Sequence, residues 1–407
     1  MSKPGILFVV NEIRPGGAEM FVIRLAKFLQ AEYNIYVFSC FTENDDPSFV
    51  AQFQATVPFQ FLPHPKKNIP EWREFLYWKM NAIAAMFGKS GLYVRLRKAD
   101  RIRHFRHELK KRNIRIVNSS ASHSDGFAVN FIKKHFSIPA VISVHSAYNS
   151  ENWGDLKDKH EFSQGVKSML TGADALLFTA NHNLEILKHI PLPSNILVEK
   201  VYLGYEPQLV TQTRLELNWP KDAFVITMMA RGIPEKGWEE ALNAFTILVN
   251  RHPNSLLVLI HTDTDYITNL KHRFSHEPRI HFQGFMSDPS GILKNSNCTI
   301  LPSHYPESLP YAITESLAYG IPVFATAIAE IPNMLENADG MAGAIIPFKD
   351  GKADANVLAN QLFHAATDLD YSRNLQKLAH QSFKKFSMAQ CGNRYREIFQ
   401  QLINARL

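Results

Sequence analysis

Four charged side chains in two short stretches set the chemistry open to this sequence. Glu307 and Glu315 stand eight residues apart in Leu301-Pro-Ser-His-Tyr-Pro-Glu-Ser-Leu-Pro-Tyr-Ala-Ile-Thr-Glu-Ser-Leu-Ala-Tyr-Gly-Ile-Pro-Val323. The second glutamate falls on a predicted helix with Pro310 in its first turn, where the missing N–H costs nothing. The amides around Leu309 and Tyr311 then point out of a helix N-terminus, a natural seat for an anion. A carboxylate before the helix and another two turns inside can hold polyol hydroxyls on either side of that anion. Sugar–diphosphate–ribose has this order of groups. The other stretch, Arg231-Gly-Ile-Pro-Glu-Lys-Gly237, puts a guanidinium and an ammonium five residues apart between a predicted strand and a helix. Both can converge on a diphosphate, Arg231 as a fork and Lys236 as a point charge. Either stretch alone reads equally as a capped helix with surface ion pairs. Their recurrence at matching places in successive βα units favours one shared ligand.

The elements that must hold these residues are short apolar runs alternating with helical stretches. Gly5–Val10 has strand length and no polar side chain, as a central strand covered on both faces requires. A glycine loop at Asn11–Gly17 and a helix with Met20, Ile23, Leu25, Phe28 and Leu29 follow. Further strands are predicted at Asn34–Cys40, Ile114–Asn118, Ala140–His145 and Ala175–Phe178. The pattern weakens into a polar linker, Tyr205–Asp222, and then repeats: strand Ala223–Ala230, loop Arg231–Gly237, helix Trp238–Val249. Strands at Leu256–His261, Ile280–Gln283, Cys298–Leu301, Val323–Ala325 and Ala344–Ile346 complete a second set. Such alternation predicts an α/β chain with two doubly wound parallel sheets. Ligands of these sheets bind beyond the carboxyl ends of the strands, so two ligand edges facing across a cleft are expected. A last helix, Met388–Ala405, places Tyr395, Ile398, Phe399, Leu402 and Ile403 on one face.

The 407 residues suit two domains, and 45% hydrophobic with 20% charged residues gives each enough apolar material for a core. Three cysteines (Cys40, Cys298, Cys391) without a CxxC pair exclude a disulfide scaffold and a cysteine zinc site, and fit a reducing compartment. The first apolar run stops at Asn11-Glu12, too short for a secretory signal, and later runs fall far short of the ~20 residues of a spanning helix. The net charge of +6 is unevenly spread. Lys66–Arg115 carries fifteen Lys/Arg against four acids, leaving the rest of the chain mildly acidic. The same segment holds Trp72, Phe75, Leu76, Met80, Ile83 and Phe87 at helical spacing. Basic residues beside aromatics suit a segment facing anionic lipid headgroups. The alternative is a helical pair whose stripe packs on its own domain. Nucleic-acid binding is not expected, because no known module accompanies the basic stretch.

With these motifs the chain resembles the retaining nucleotide-sugar glycosyltransferases of the GT-B fold, the glycosyl transferases group 1 family. The resemblance covers nearly the whole chain, strongest from Met229 to Ile346 and weakest from Asn44 to Arg112. The family's E-x7-E matches Glu307–Glu315, its R-x4-K matches Arg231–Lys236, its N-terminal glycine loop matches Pro15-Gly16-Gly17-Ala18-Glu19, and its GxPV matches Gly320-Ile-Pro-Val323. The resemblance implies catalytic roles for Glu307 beside the transferred sugar, for Arg231 and Lys236 on the diphosphate, and for His145 beside the donor sugar. It implies donor binding by Glu315 on the ribose hydroxyls and by Gly16, Gly17, Ser308, Leu309 and Tyr311. It also implies an acceptor domain at 1–205 with a basic aromatic insertion at about 64–115, a donor domain at 206–385, and a helix at 386–407 packing back on the first domain.

The expected partners are a UDP- or GDP-sugar donor and a glycan or lipid-linked acceptor of bacterial surface polysaccharide synthesis. No cofactor and no metal are expected, and the place of action is cytoplasmic, peripheral on the inner face of the cell membrane. Two departures stand out. Ala329-Glu330-Ile-Pro-Asn333 replaces the family's Gly-Gly-Ile-Pro-Glu, and Pro310 replaces a common glycine. Asp263-Thr-Asp265 mimics a DxD metal motif, but in a polar loop after a strand it is taken as helix-capping carboxylates. His104-x-x-His107 lacks a third ligand, and the Gly16/Gly17 loop is an incomplete dinucleotide fingerprint. The rival functions are another GT-B enzyme, such as a sugar-nucleotide epimerase, and a non-catalytic nucleotide-sugar binding protein.

Overall fold

Strand β1 (Gly5–Val10) is buried at all six positions, as a fully apolar run must be when helices cover both faces of a sheet. It pairs in parallel with β2 (Asn34–Ser39) on one side and β4 (Ile114–Ser119) on the other. With β3 (Phe59–Phe61), β5 (Ala140–Val144), β6 (Ala175–Phe178) and β7 (Leu197–Lys200) the order is β3-β2-β1-β4-β5-β6-β7, parallel throughout. These features come from a computed structural model, which describes residues 3–63, 70–86, 91–120, 122–145, 159–305 and 308–406. The chain divides into two compact units, Met1–Thr179 with Asn183–Val201 and Gly392–Leu407, and Ala180–His182 with Tyr202–Cys391.

In the first unit the helices are α1 (Gly17–Leu29), α2 (Pro47–Thr56), α3 (Glu71–Met86), α4 (Leu92–Lys111), α5 (Ser122–Gly126), α6 (Lys134–Phe136) and α7 (Lys159–Gly172). A π-helical stretch, Phe127–Lys133, joins α5 to α6. Asp46 caps α2 by accepting from the Ser48 and Phe49 amides, with Pro47 in the first turn. Helix α4 docks through Phe105, whose ring meets Phe38 at 5.5 Å and Phe131 at 5.3 Å edge-on. Its exposed side stays basic.

Helix α3 buries none of its residues. It is held to α4 by polar contacts: Tyr77 donates to Asp100 at 2.5 Å, and Glu74 pairs with Arg97 at 3.0 Å. The expected stripe of Trp72, Phe75, Leu76, Met80 and Ile83 therefore faces solvent, with Trp72 and Trp78 each 63% exposed. None of these residues is buried against its own domain. Phe87 lies outside the described residues.

The second unit repeats the plan with β8 (Phe224–Ala230), α8 (Trp238–Arg251), β9 (Ser255–His261), α9 (Asp265–Arg273), β10 (Ile280–Gly284), α10 (Ser290–Asn295), β11 (Cys298–Leu301), α11 (Tyr311–Ala318), β12 (Val323–Thr326) and α12 (Ile331–Leu335). Two small hairpins, β13 (Glu336–Asn337) with β14 (Gly340–Met341) and β16 (Phe348–Lys349) with β17 (Lys352–Ala353), flank β15 (Gly343–Ile346). Helices α13 (Ala355–Thr367) and α14 (Leu369–Phe383) follow. The sheet order is β10-β9-β8-β11-β12-β15, again all parallel. Trp238, Phe245 and Leu248 of α8 cover one face of this sheet, packed with Leu358 and Leu362 of α13.

The stretch 205–222 is not a loose linker. Arg214 donates to the carbonyls of Asn295, Lys221 and Ala223 and to the Asn297 side chain, so the segment is fastened to the second unit. The last helix, α15 (Met388–Asn404), starts in the second unit and continues in the first from Gly392. There Tyr395 and Phe399 are buried, the Tyr395 hydroxyl meets Ser143 Oγ at 2.9 Å, and Arg394 forks onto Glu199 with two bonds of 2.6 Å.

Candidate functional site

In the second unit three loops at the carboxyl ends of β8, β9 and β11 are laced together. The Gly232 amide donates to Thr262 Oγ1 at 2.9 Å, and Thr264 Oγ1 returns a bond to the Gly232 carbonyl at 2.7 Å. Trp238 Nε1 donates to the Arg231 carbonyl, and the Glu235 carbonyl accepts from the His304 amide and Ser303 Oγ. Gly237 has φ +77°, and a Cβ there would stand 2.0 Å from the Pro302 carbonyl oxygen. Only glycine permits both that backbone and that approach.

This lacing brings the two expected cations to one aromatic ring. Lys236 Nζ lies 4.9 Å and Arg231 Cζ 5.9 Å from the centre of Tyr305. Arg231 is exposed and Lys236 is buried, so one charge is open to solvent while the other is held in the wall. Such a pair can receive one polyanion from two directions. Tyr305 was not predicted as a site residue, although it lies in the motif that contains both glutamates.

Helix α11 starts at Tyr311, with Pro310 as its N-cap and not inside its first turn as predicted; no side chain caps it. Glu315 lies in its second turn, 8% exposed, between the buried Thr314 and Ser316. Leu309 is buried before the helix, and Ser308 Oγ meets His182 Nε2 at 3.3 Å. His182 reaches this unit from the short excursion Ala180–His182, a neighbour no local pattern could reveal. Glu307 lies outside the described residues.

The loop after β12 has a different employment from a phosphate cradle. Ala329 adopts φ +48°, and Glu330, 1% exposed, accepts from the Tyr202 hydroxyl at 2.8 Å and the Asn181 amide at 3.0 Å. Burial, and then this carboxylate, push the Tyr202 phenol far above its usual range. Asp263 is 77% exposed, 3.6 Å from Lys271, while Thr264 caps α9 by accepting from Ile267 and Asp265 sits in its first turn. His104 Nε2 contacts the Pro63 carbonyl at 3.3 Å.

The first unit presents its own polar edge beyond β1 and β5. Gly16 precedes α1 in extended conformation, and the place of its missing Cβ lies 2.3 Å from Glu19 Oε2. The room at Gly16 thus admits the chain's own carboxylate, whose pKa burial raises. A phosphate there would meet a carboxylate, whereas a hydroxyl could donate to it. Gly17 is the first residue of α1. His145 follows β5, its ring 5.1 Å from Phe21 of α1. Both ring nitrogens are screened from water and have no hydrogen-bond partner among the described residues, and burial lowers the imidazole pKa to about 4. The imidazole is neutral at pH 7, one ring nitrogen a donor and the other an acceptor.

Residues 210–377 match the family model of Glycosyl transferases group 1. The match lies within the second unit. The capsular polysaccharide biosynthesis glycosyltransferase CapM of Staphylococcus aureus is 27% identical over 192 residues, 42% of this chain and 48% of that protein. The chain thus matches about half the length of this curated relative. Among solved structures, HepE of Anabaena in complex with UDP and glucose has a TM-score of 0.72 at 16% identity, covering 98% of this chain and all of that one. Sucrose-phosphate synthase from Thermosynechococcus elongatus has 0.71 at 18%, covering 99% and 100%. The fold is GT-B, two α/β units each built on a parallel sheet.

Proposed function

We propose that this protein is a glycosyltransferase that moves a sugar from a UDP- or GDP-sugar to a hydroxyl acceptor with retention at the anomeric carbon and without a metal. The observation that carries this reading is the convergence of Arg231 and Lys236 on Tyr305, which precedes α11 in the chain. HepE, of the same fold, is described with UDP and with UDP-glucose, and CapM with capsular polysaccharide synthesis. Both support a nucleotide-sugar donor and a surface-glycan acceptor.

In this reading the α11 N-terminus, with Ser308, Leu309 and Tyr311, and the two cations hold the diphosphate. Glu315 takes the ribose hydroxyls and Glu307 the transferred sugar. As the bond from the anomeric carbon to the phosphate oxygen breaks, negative charge grows on the departing diphosphate, where Arg231 and Lys236 stabilise it. The acceptor oxygen forms its bond on the same face, and its proton passes to that phosphate oxygen. His145, neutral at pH 7, is assigned hydrogen bonds with sugar hydroxyls, and the Gly16–Gly17 loop is assigned to the acceptor. The exposed aromatic face of α3 and the basic side of α4 support an acceptor held at an anionic membrane surface.

Incubation with UDP- and GDP-sugars and a panel of glycan acceptors, with the anomeric configuration of product read by NMR, tests this. Transfer with the donor's configuration preserved is expected, with EDTA present. Epimerised nucleotide sugar without acceptor, or tight nucleotide binding without turnover, would replace the reading with one of its two rivals.

A further inference from the structure

A cavity of about 410 Å³ opens in the first unit at the amino-terminal ends of β4 and β5, the opposite end of the sheet from Gly16 and His145. Its volume falls within the ~300–1,000 Å³ of small-molecule sites. Leu109, Ile114, Phe136 and Ile138 give it an apolar floor, and Arg106, Lys110, Arg115 and His135 give it four basic groups. Among the described residues no carboxylate lines it. The acids of α4 are engaged elsewhere, Asp100 with Tyr77, Arg73 and Arg103, and Glu108 with Arg112. Lys98 and Lys134 add to the positive field at His135, whose pKa burial and these cations lower.

Basic side chains near helix C-termini often serve only to complement the helix dipole. Here the carbonyls at those ends have other donors. Glu108 and Lys110 receive the Arg112 and Asn113 amides, Lys133 receives the Ser137 amide, and Ser137 receives Arg406. Arg115 belongs to β4 and not to a helix. Asn113 and Ser137, on the rim, hold φ of +51° and +58°, a conformation that non-glycine residues keep at some cost. Among the described residues, Arg106, Lys110 and Arg115 line this cavity with no carboxylate beside them in its wall.

We propose that this cavity binds a phosphate group, with Arg106 and Arg115 as its principal ligands, Lys110 completing the charge, the His135 imidazole donating a hydrogen bond, and the apolar floor taking the group's organic substituent. The chemistry is common to a free phosphate and to an anionic lipid headgroup. This site is separate from the donor site and does not depend on the transferase reading.

The test uses the full chain at low salt and three probes: inorganic phosphate, chloride at matched ionic strength, and vesicles of equimolar phosphatidylglycerol and phosphatidylcholine. The His135 ring signal, assigned through His135→Asn, should shift saturably with phosphate and not with chloride. Arg106→Gln with Arg115→Gln should weaken phosphate binding about 10-fold or more, as loss of charge-assisted bonds requires. Arg95→Gln with Arg101→Gln, exposed on α4 and removing equal charge, should leave it within about twofold. A parallel fall in vesicle binding by the pocket pair alone would identify the group as a lipid headgroup. Unchanged vesicle binding with lost phosphate binding would identify a soluble phosphate. The absence of a saturable His135 response to any probe, or equal losses in both pairs, would overturn the proposal.

Discussion

Gly237→Ala tests whether the loop lacing builds the site. At Gly237 an alanine meets two obstacles: φ +77°, and a Cβ that would stand 2.0 Å from the Pro302 carbonyl oxygen. The first costs about 1–2 kcal/mol. Relieving the second means moving backbone by about 1 Å, a cost of about 1–3 kcal/mol for overpacking. The sum, about 2–5 kcal/mol, should appear in urea unfolding of the second unit, followed by fluorescence of the buried Trp238 next door. Gly351→Ala is the control, since Gly351 shares φ +78° but has nothing within 4 Å of its Cβ position. It should lose only the backbone part, about 1–2 kcal/mol. The displaced loop carries Arg231 and Lys236, so nucleotide affinity should also fall in Gly237→Ala, by up to about 10²-fold, and stay unchanged in Gly351→Ala. Equal stability losses in the two variants, or full nucleotide affinity in Gly237→Ala, would refute the argument that glycine is needed there for close approach.

Three further outcomes are expected. Glu315→Ala should mainly raise the donor KM, since ribose contacts exist in ground and transition states alike, and Glu307→Ala should mainly lower kcat; steady-state kinetics with the reverse pattern would interchange their roles. The His145 imidazole, at about 4 against 6.5 in the unfolded chain, contributes stability present above pH 6.5 and lost as pH falls toward 4, because only the unfolded state takes up a proton in that window. The full loss is about 3 kcal/mol, of which about 2 kcal/mol falls between pH 7 and pH 5, so urea midpoints at these two pH values should differ more in wild type than in His145→Phe, and equal differences would deny the burial. EDTA should leave transfer unchanged, whereas a strict need for Mn²⁺ or Mg²⁺ would return Asp263 and Asp265 to the site.

Central strands are legible in this sequence because burial on both faces keeps most of them largely apolar. β1, β5, β6, β8 and β9 are uninterrupted apolar runs or close to it. The first sheet's edge strands, Phe59–Phe61 and Leu197–Lys200, are not. Three residues in one case and a mixed Leu-Val-Glu-Lys in the other carry too little pattern. The charged members of the site follow from spacing, but their meeting point does not. Tyr305 joins Arg231 and Lys236 only because Gly237 lets one loop press on another. His182 beside Ser308 and Tyr202 on Glu330 come from a chain segment more than a hundred residues away. Likewise the room at Gly16 reads from sequence as space for a ligand, while the structure fills it with Glu19. The aromatic stripe of α3 has the same periodicity as a core face, and only its exposure separates the two meanings.

The most direct test of the central claim is calorimetric titration of UDP and GDP into wild type, Arg231→Ala and Lys236→Ala. One nucleotide diphosphate should bind wild type clearly, and each variant should lose about 10-fold or more in affinity, as removal of a charged partner of the diphosphate requires. Both variants should fold as wild type does. Wild-type affinity in both variants, with either nucleotide, would contradict the assignment of the diphosphate to this pair.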